Sequence, residues 1–260
     1  MRRKEMKNVG LYVSLLVLSL VPPARAADGL VIAAAADLQF AMPEVVHQFE
    51  NQTGQRVRVT FGSSGNFASQ IQNGAPFDIF FSADLKYPKQ LDAAGLIEPG
   101  SICHYADGKI VLWTLKSSGV DVSRGLSILS DPKIHKIAIA NPEHAPYGRA
   151  AVAALKHENL YDAVQNRIVL AENISQAAQF VDTGSAEVGI VALALVVAPT
   201  VRDRGTYFAI PASEYPPIEQ GSAILKSSQN KQAAKQFLEF IKTPAIVTLL
   251  HKFGFELPKN

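Results

Sequence analysis

The chain has 260 residues, of which 48% are hydrophobic and 18% charged, which is enough apolar sequence for one domain or two. Its formal net charge is +2, and we find no basic cluster, heptad series or low-complexity tract, which argues against a nucleic-acid binder and a coiled coil. Cys103 is the only cysteine, so an intramolecular disulfide and a cysteine-based metal site are both excluded.

The N-terminus has the pattern of a cleavable signal peptide. Arginines and lysines precede an apolar run at 11–21, and the small residues of an A-x-A cleavage motif follow at 24–26. This motif favours cleavage over the alternative of an uncleaved membrane anchor. Residues 1–26 carry a net charge of +4, so removing them from a chain of +2 leaves −2. The exported protein therefore has no electrostatic reason to bind nucleic acid.

Short apolar runs alternate with segments of helical period along the rest of the chain. Strands are predicted at 30–36, 56–61, 77–83, 109–114, 136–141, 167–173 and 187–193. Helices are predicted at 40–54, 66–74, 85–96, 148–160, 175–184, 231–241 and after 246. This order predicts an α/β fold, with sheets covered by helices.

The stretch 199–217 breaks the alternation, and we interpret it as an irregular return from a second lobe. The predicted organisation is a signal peptide at 1–26, a first lobe made of 27–107 and 216–260, and a second lobe at 108–215. The chain is expected to cross between the lobes near 105–108 and again near 216–221.

Four predicted strand-to-helix junctions share small or polar residues and contain no lysine or arginine before the helix. They lie at 33–39, 62–66, 141–150 and 172–177, two in each predicted lobe. A helix N-terminus has unpaired N–H groups and a partial positive charge, so it binds anions without cationic side chains. The junctions therefore indicate a small-anion site between the lobes, although the same residues could serve only as helix caps.

The sequence does not match the nucleophile, phosphate-binding and metal-binding motifs. GSSGN at 62–66 lacks the last glycine of the G-x-S-x-G nucleophile motif and the lysine of a phosphate-binding P-loop. The six histidines show no metal-binding spacing, and His144 is interpreted as a structural hydrogen-bonding residue. We predict no catalytic residue and no enzyme, although a secreted hydrolase using Ser64 or a carboxylate stays open as an alternative.

Several stretches carry a family resemblance that covers nearly all of the chain after the predicted signal. They are VIAAAADLQFAM, VTFGSSGNFASQIQNGAPFDIFFSAD, IAIANPEHAPYGRAAVAAL, LAENISQAAQFVDTGSAEVGIVAL and HKFGFELP. In these stretches the chain resembles the periplasmic molybdate-binding proteins of ABC importers. The resemblance implies a two-lobed class II periplasmic binding fold, with mixed sheets flanked by helices and a ligand cleft between the lobes. It also implies a periplasmic monomer that captures molybdate or tungstate without a cofactor and delivers it to a membrane permease.

The resemblance implies four ligand-binding residues, which would contact the oxygens of the anion; no free metal cation is expected. Ser64 matches a serine that donates from its side chain and backbone, Tyr147 a tyrosine whose hydroxyl reaches the anion, and Ile174 a residue that contributes only its N–H. Asp37 stands where the family usually has serine, threonine or asparagine. Ala192 stands where some members have a supporting tyrosine.

Asp37 allows two interpretations, because a carboxylate aimed at a dianion would repel it. In the first, which we favour, it caps the following helix by accepting from N–H groups near Gln39 and Phe40. In the second, it accepts a hydrogen bond from an anion that carries a proton, and the protein is a receptor for a protonated oxyanion or a small organic anion. A sensor that binds the anion without transporting it is a further possibility that the sequence cannot separate from transport.

Overall fold

The computed structural model describes residues 29–258, so the predicted signal peptide at 1–26 lies outside the described residues. The first lobe is built on a five-stranded sheet. Its strands are β1 (Leu30–Ala35), β2 (Val57–Gly62), β3 (Ile79–Ser82), β4 (Cys103–Gly108) and β10 (Ile218–Ile224). Their spatial order is β2-β1-β3-β10-β4. The first three strands pair in parallel, and β10 runs antiparallel to both β3 and β4.

Five helices of the first lobe cover this sheet. They are α1 (Ala41–Thr53), α2 (Ser64–Gln72), α3 (Lys86–Ala93), α8 (Lys231–Ile241) and α9 (Pro244–Lys252). Helix α1 ends at Gly54, whose φ of 70° lies in the left-handed region that glycine adopts without a Cβ clash. Phe49 of α1 packs edge-to-face on Phe237 of α8, which joins two of the helices over the buried face of the sheet.

The second lobe repeats this plan with another five-stranded sheet. Its strands are β5 (Ile110–Leu115), β6 (Ile137–Ala140), β7 (Ile168–Ala171), β8 (Val188–Ala192) and β9 (Gly205–Ala209), and its helices are α4 (Pro146–His157), α5 (Tyr161–Val164), α6 (Ile174–Asp182) and α7 (Leu193–Val196). The order is β7-β6-β8-β5-β9, with β6 parallel to β7 and β8, and β5 antiparallel to β8 and β9.

The predicted α/β fold with two lobes and mixed sheets is confirmed. The chain passes from β4 of the first sheet into β5 of the second, and returns from β9 into β10. The expectation of an irregular segment at 199–217 is wrong in part, because β9 lies inside it and pairs with β5. Strands β4 and β10 were not predicted either, since their sequences CHYADG and IEQGSAI mix polar and apolar residues. Among residues 29–258, no helix has the length and apolar character needed to cross a membrane.

The topology brings helix N-termini from both lobes to one place. In each lobe the parallel strands end at the edge that faces the other lobe, and the helix that follows each strand starts there. Helix α2 follows β2 in the first lobe, whereas α4 and α6 follow β6 and β7 in the second. In α/β sheets, ligands bind at the carboxyl ends of such strands.

Candidate functional site

All four predicted junction loops meet at one small cavity between the lobes. The residues that line it are Ala35, Ala36, Asp37, Gly62, Ser63, Ser64, Ala83, Ala145, Pro146, Tyr147 and Ile174. The cavity volume is about 10 Å³, far below the range of about 300–1,000 Å³ typical of pockets for larger organic ligands. The four residues predicted to bind the ligand all line it, whereas Ala192, at the end of β8, does not. The cavity therefore has room only for a very small ligand.

Ser64 has a hydroxyl hydrogen that is available to a ligand. Its side chain is buried, and its Oγ accepts a hydrogen bond of 2.9 Å from the backbone N–H of Ala83. This contact uses a lone pair of the hydroxyl and leaves the O–H as a donor. Within the described part of the chain, no acceptor is found for this hydrogen. The contact therefore orients Ser64 so that it can donate into the cavity.

Three backbone N–H groups at the cavity belong to the first turns of helices. Ser64 begins α2, Tyr147 is the second residue of α4, and Ile174 begins α6. A helix offers no internal acceptor to these groups. Other first-turn N–H groups have partners, namely those of Gly65, Phe67, Gly148, Arg149, Ser175, Gln176 and Ala177. The side chain of Ile174 is packed in the core, so this residue offers the cavity only its backbone.

Asp37 and Tyr147 meet in a buried network that joins the lobes. The Tyr147 hydroxyl donates to Oδ2 of Asp37 at 2.9 Å. Nε2 of Gln220, on β10, donates to the same Oδ2 at 2.7 Å and to the Tyr147 hydroxyl oxygen at 3.1 Å. The Tyr105 hydroxyl in turn donates to Oε1 of Gln220 at 3.0 Å. The network leaves Oδ1 of Asp37 buried without a partner among the described residues.

Burial changes the acid–base properties of this network. It raises the pKa of the Asp37 carboxyl from 3.8 to about 6, even though the hydrogen bonds from Tyr147 and Gln220 lower it. Burial, followed by the charge of Asp37, raises the pKa of Tyr147 well above its ordinary value, and the same two causes act on Tyr105. The tyrosine hydroxyls therefore keep their hydrogens at neutral pH and act as hydrogen-bond donors. The Asp37 carboxyl, in contrast, has a pKa of about 6, close to neutral pH.

The interpretation of Asp37 as a cap for the following helix is wrong. A short 3-10 turn at Ala36–Leu38 separates β1 from α1, which begins only at Ala41 and has no side-chain cap. The N–H of Gln39 donates to the carbonyl of Ala36 instead. The carboxylate instead accepts hydrogen bonds from the Tyr147 hydroxyl of the second lobe and from the Gln220 amide of the first lobe.

Next to the cavity, His144 joins the two lobes by hydrogen bonds. The backbone N–H of Gly65 donates to the His144 carbonyl at 2.9 Å, and the His144 ring lies 3.0 Å from the Ser63 hydroxyl. A Cβ on Gly65 would lie 2.6 Å from that carbonyl oxygen, which is closer than atoms pack. The structure is therefore a closed form of the two lobes, and it requires a glycine at this position.

Further polar contacts join the lobes at the rim of the cleft. Arg149 of α4 donates to the Asp84 carboxylate at 2.6 Å and to the Tyr87 hydroxyl at 3.2 Å. Asn66 donates its side-chain amide to the carboxylate of Glu172. Sequence reasoning missed these contacts and the role of Gln220, because they pair residues that are distant in sequence and share no motif.

The geometry fits binding better than catalysis. A serine nucleophile needs a base within hydrogen-bond reach. In the region that the structure covers, the only hydrogen bond to Ser64 Oγ comes from a backbone N–H. Among residues 29–258, no lysine, arginine or histidine lines the cavity, so the donors that these residues offer an anion are neutral hydroxyl and N–H groups.

Comparison with known proteins identifies the family of this chain. Residues 30–256 match the family of bacterial extracellular solute-binding proteins. Because the match spans most of the chain, the chain belongs to this family.

Individual proteins are similar to the chain over most of its length. The chain is 37% identical over 240 residues to the molybdate-binding protein ModA of Rhodobacter capsulatus, which covers 92% of both chains. The solved periplasmic molybdate-binding protein of Azotobacter vinelandii superposes with a TM-score of 0.84 at 39% identity, covering 88% of this chain and 100% of that one. The sulfate-binding protein SubI of Mycobacterium tuberculosis, at 17% identity and a TM-score of 0.72, shares the fold.

Proposed function

We propose that this protein is an exported receptor that captures a tetrahedral oxyanion, molybdate or tungstate, in the cavity between its lobes. The observation that carries the proposal is the convergence of three helix N-termini from both lobes on a small cavity that no cationic side chain of residues 29–258 lines. Ser64 and Tyr147 donate from side chain and backbone, and Ile174 donates from its backbone N–H. Asp37 lies at the same cavity and contacts Tyr147 directly.

Energetics support such a site. A hydrogen bond to a charged group contributes about 1.5–3 kcal/mol, so several converging donors can offset the cost of removing a small dianion from water. Fixed donors in a closed cavity also favour one anion size, because a smaller tetrahedron cannot reach all of them at once. This distinguishes molybdate and tungstate from the smaller sulfate. The relatives named as molybdate-binding proteins support the same choice of ligand.

Membership of a solute-binding family supports the rest of the proposal. The closed form that the anion stabilises would present both lobes together to a membrane permease of an ABC importer, which releases the anion for transport. The signal-peptide pattern at 1–26 and the periplasmic relative support export to the periplasm. We propose a monomer that carries out no catalysis and needs no cofactor.

A thermal-shift titration with molybdate, tungstate, sulfate and phosphate tests the proposal. A ligand that binds only the folded state raises its stability in proportion to the logarithm of concentration over Kd. We expect molybdate and tungstate to raise the Tm at micromolar concentrations, and sulfate to leave it unchanged at a hundredfold excess. A response to sulfate or phosphate alone would contradict the proposal.

A further inference from the structure

The hydroxyl of Tyr147 has one hydrogen, and Asp37 already receives it. The donor–acceptor distance is 2.9 Å, and the Tyr147 side chain is 2% exposed, so water cannot replace this bond. Gln220 donates to the Tyr147 oxygen from the other side and offers it no acceptor through that amide nitrogen. Tyr147 therefore cannot donate to an anion in the cavity while it donates to Asp37.

Asp37 itself conflicts with a bound dianion. Its side chain is 0% exposed, it forms part of the cavity wall, and Oδ1 has no partner in the described part of the chain. A carboxylate with an unpaired buried oxygen beside a dianion is repelled strongly, because few charges or waters screen the interaction. One proton on Asp37 removes the repulsion and converts the unpaired acceptor into a donor.

Among the described residues, the groups around Asp37 include no cation that could neutralise its carboxylate. The titratable groups facing it are the hydroxyls of Tyr147 from α4 and of Tyr105 from β4. Strand β10 presents the neutral Gln220, α6 presents Ile174 at the cavity, α7 is the apolar segment LALV, and β2 presents Gly62 at its end. Burial raises its pKa, and the side chains whose hydrogen bonds lower it, Tyr147 and Gln220, are both neutral.

We propose that Asp37 makes anion capture proton-coupled, so that each oxyanion dianion binds together with one proton taken from solvent. This inference rests on the proposed function of the cavity. The carboxylate gains the proton and becomes a neutral carboxyl, and no bond of the anion breaks. The Asp37 O–H then donates to the Tyr147 oxygen or to the anion, and the Tyr147 hydroxyl turns its own hydrogen to the anion. Gln220 is a positioning residue that holds both oxygens during this exchange.

The acid–base properties agree with this geometry. Without the anion, the pKa of Asp37 is about 6, so the group is mostly ionised at pH 7.5. A dianion in contact raises that pKa further, because a neighbouring negative charge disfavours ionisation. Binding at pH 7.5 should therefore take up close to one proton. The affinity should fall about tenfold per pH unit above pH 7, until the pH reaches the pKa of the bound state.

Calorimetry tests the inference directly. Molybdate is titrated into the purified protein at pH 7.5 in buffers of different ionisation enthalpy, and the slope of observed heat against that enthalpy counts the protons taken up. We expect close to one proton per molybdate for the wild type. Asp37→Asn has an amide donor in place of the carboxyl and should bind with no proton uptake, with the same affinity at pH 6.5 and pH 8.5. Asp92→Asn, an exposed carboxylate on α3, is the matched control and should keep the wild-type slope.

The outcomes separate this inference from the proposed function. Tight molybdate binding without proton uptake by the wild type overturns the inference and leaves the proposed function intact. Uptake that persists in Asp37→Asn also overturns it, since the proton would then reside elsewhere. The absence of molybdate and tungstate binding at every pH overturns both. The wild-type slope and its pH dependence decide the matter even where Asp37→Asn fails to fold.

Discussion

Tyr147 of the second lobe donates its hydroxyl hydrogen to Asp37 of the first, at 2.9 Å and away from solvent. The two residues are 110 positions apart, and the closed arrangement of the lobes brings them together. The contact therefore couples lobe closure to the charge of one buried carboxylate. The proposed ligand contact and proton uptake both involve this pair.

The first prediction concerns stability and pH. The pKa of Asp37 is raised from 3.8 to about 6, so the folded state binds the proton more tightly than the unfolded state. The contribution of Asp37 to stability is therefore fully present below about pH 4 and is lost as the pH rises through about 6. At higher pH it does not change further. Ionisation of Asp37 above pH 6 lowers the free energy of unfolding by about 3 kcal/mol in total. Asp37→Asn cannot ionise, so the variant avoids this decrease and should have a free energy of unfolding at pH 8 that is higher by up to about 3 kcal/mol.

Urea denaturation of wild type and Asp37→Asn at pH 4, 6 and 8 checks this prediction. The difference between the two proteins should shrink as pH falls to 4, where the wild-type carboxyl becomes neutral. Asp92→Asn controls for the loss of one surface charge. A difference that does not vary with pH would show that Asp37 does not titrate in this range.

The second prediction concerns Ser64→Ala. The variant removes a donor from the cavity and also leaves the buried N–H of Ala83 without its acceptor. We expect molybdate affinity to fall about 10- to 100-fold, and the free energy of unfolding to fall by about 1–3 kcal/mol. Calorimetry and urea denaturation measure the two effects separately. Ser69→Ala, at an exposed position of the same helix, should change neither, and wild-type affinity in Ser64→Ala would exclude Ser64 as a ligand contact.

The third prediction uses Gly65 to block closure. A methyl group there would lie 2.6 Å from the His144 carbonyl oxygen, yet in a helix alanine is favoured over glycine by about 1 kcal/mol. Gly65→Ala should therefore fold normally and bind molybdate at least tenfold more weakly. Small-angle X-ray scattering with saturating molybdate should give a larger radius of gyration than for the wild type. Equal radii would mean that the lobes accommodate the methyl group.

The fourth prediction concerns the rim of the cleft. The Arg149–Asp84 ion pair has side chains that are 38% and 28% exposed, so solvent screens it. Arg149→Gln should weaken molybdate binding by less than about fivefold, since such pairs contribute below about 1 kcal/mol. The remaining effect should decrease as salt is added. A loss above tenfold in calorimetry would show that the rim, and not the buried network, holds the lobes together.

Much of the fold follows from local sequence patterns. The buried strand β1 and the amphipathic helix α6 show their periods directly, and the strand–helix alternation determines the class. Strands β4, β9 and β10 escaped prediction because they form by pairing with distant segments. In β10, Gln220 and Ser222 are buried polar residues that break the apolar alternation. The burial of Gln220 makes sense only once its hydrogen-bond partners from other segments are known.

Part of the candidate site could also be predicted from the sequence. Ser64, Tyr147, Ile174 and Asp37 line one cavity, and their role as ligand contacts stays a prediction. The cap expected for Asp37 failed because the 3-10 turn at Ala36–Leu38 moves the start of α1 away from it. Gln220, 183 positions from Asp37, belongs to no motif. Only the closed tertiary arrangement of the lobes reveals its contact with the cavity residues.

Anomalous X-ray diffraction at the molybdenum absorption edge, from a crystal grown with molybdate, tests the proposed binding site most directly. We expect one strong peak between the lobes, with oxygens in hydrogen-bond reach of Ser64, Tyr147 and the Ile174 N–H. A peak outside this cavity, or none in crystals of a protein that binds molybdate in solution, would contradict it.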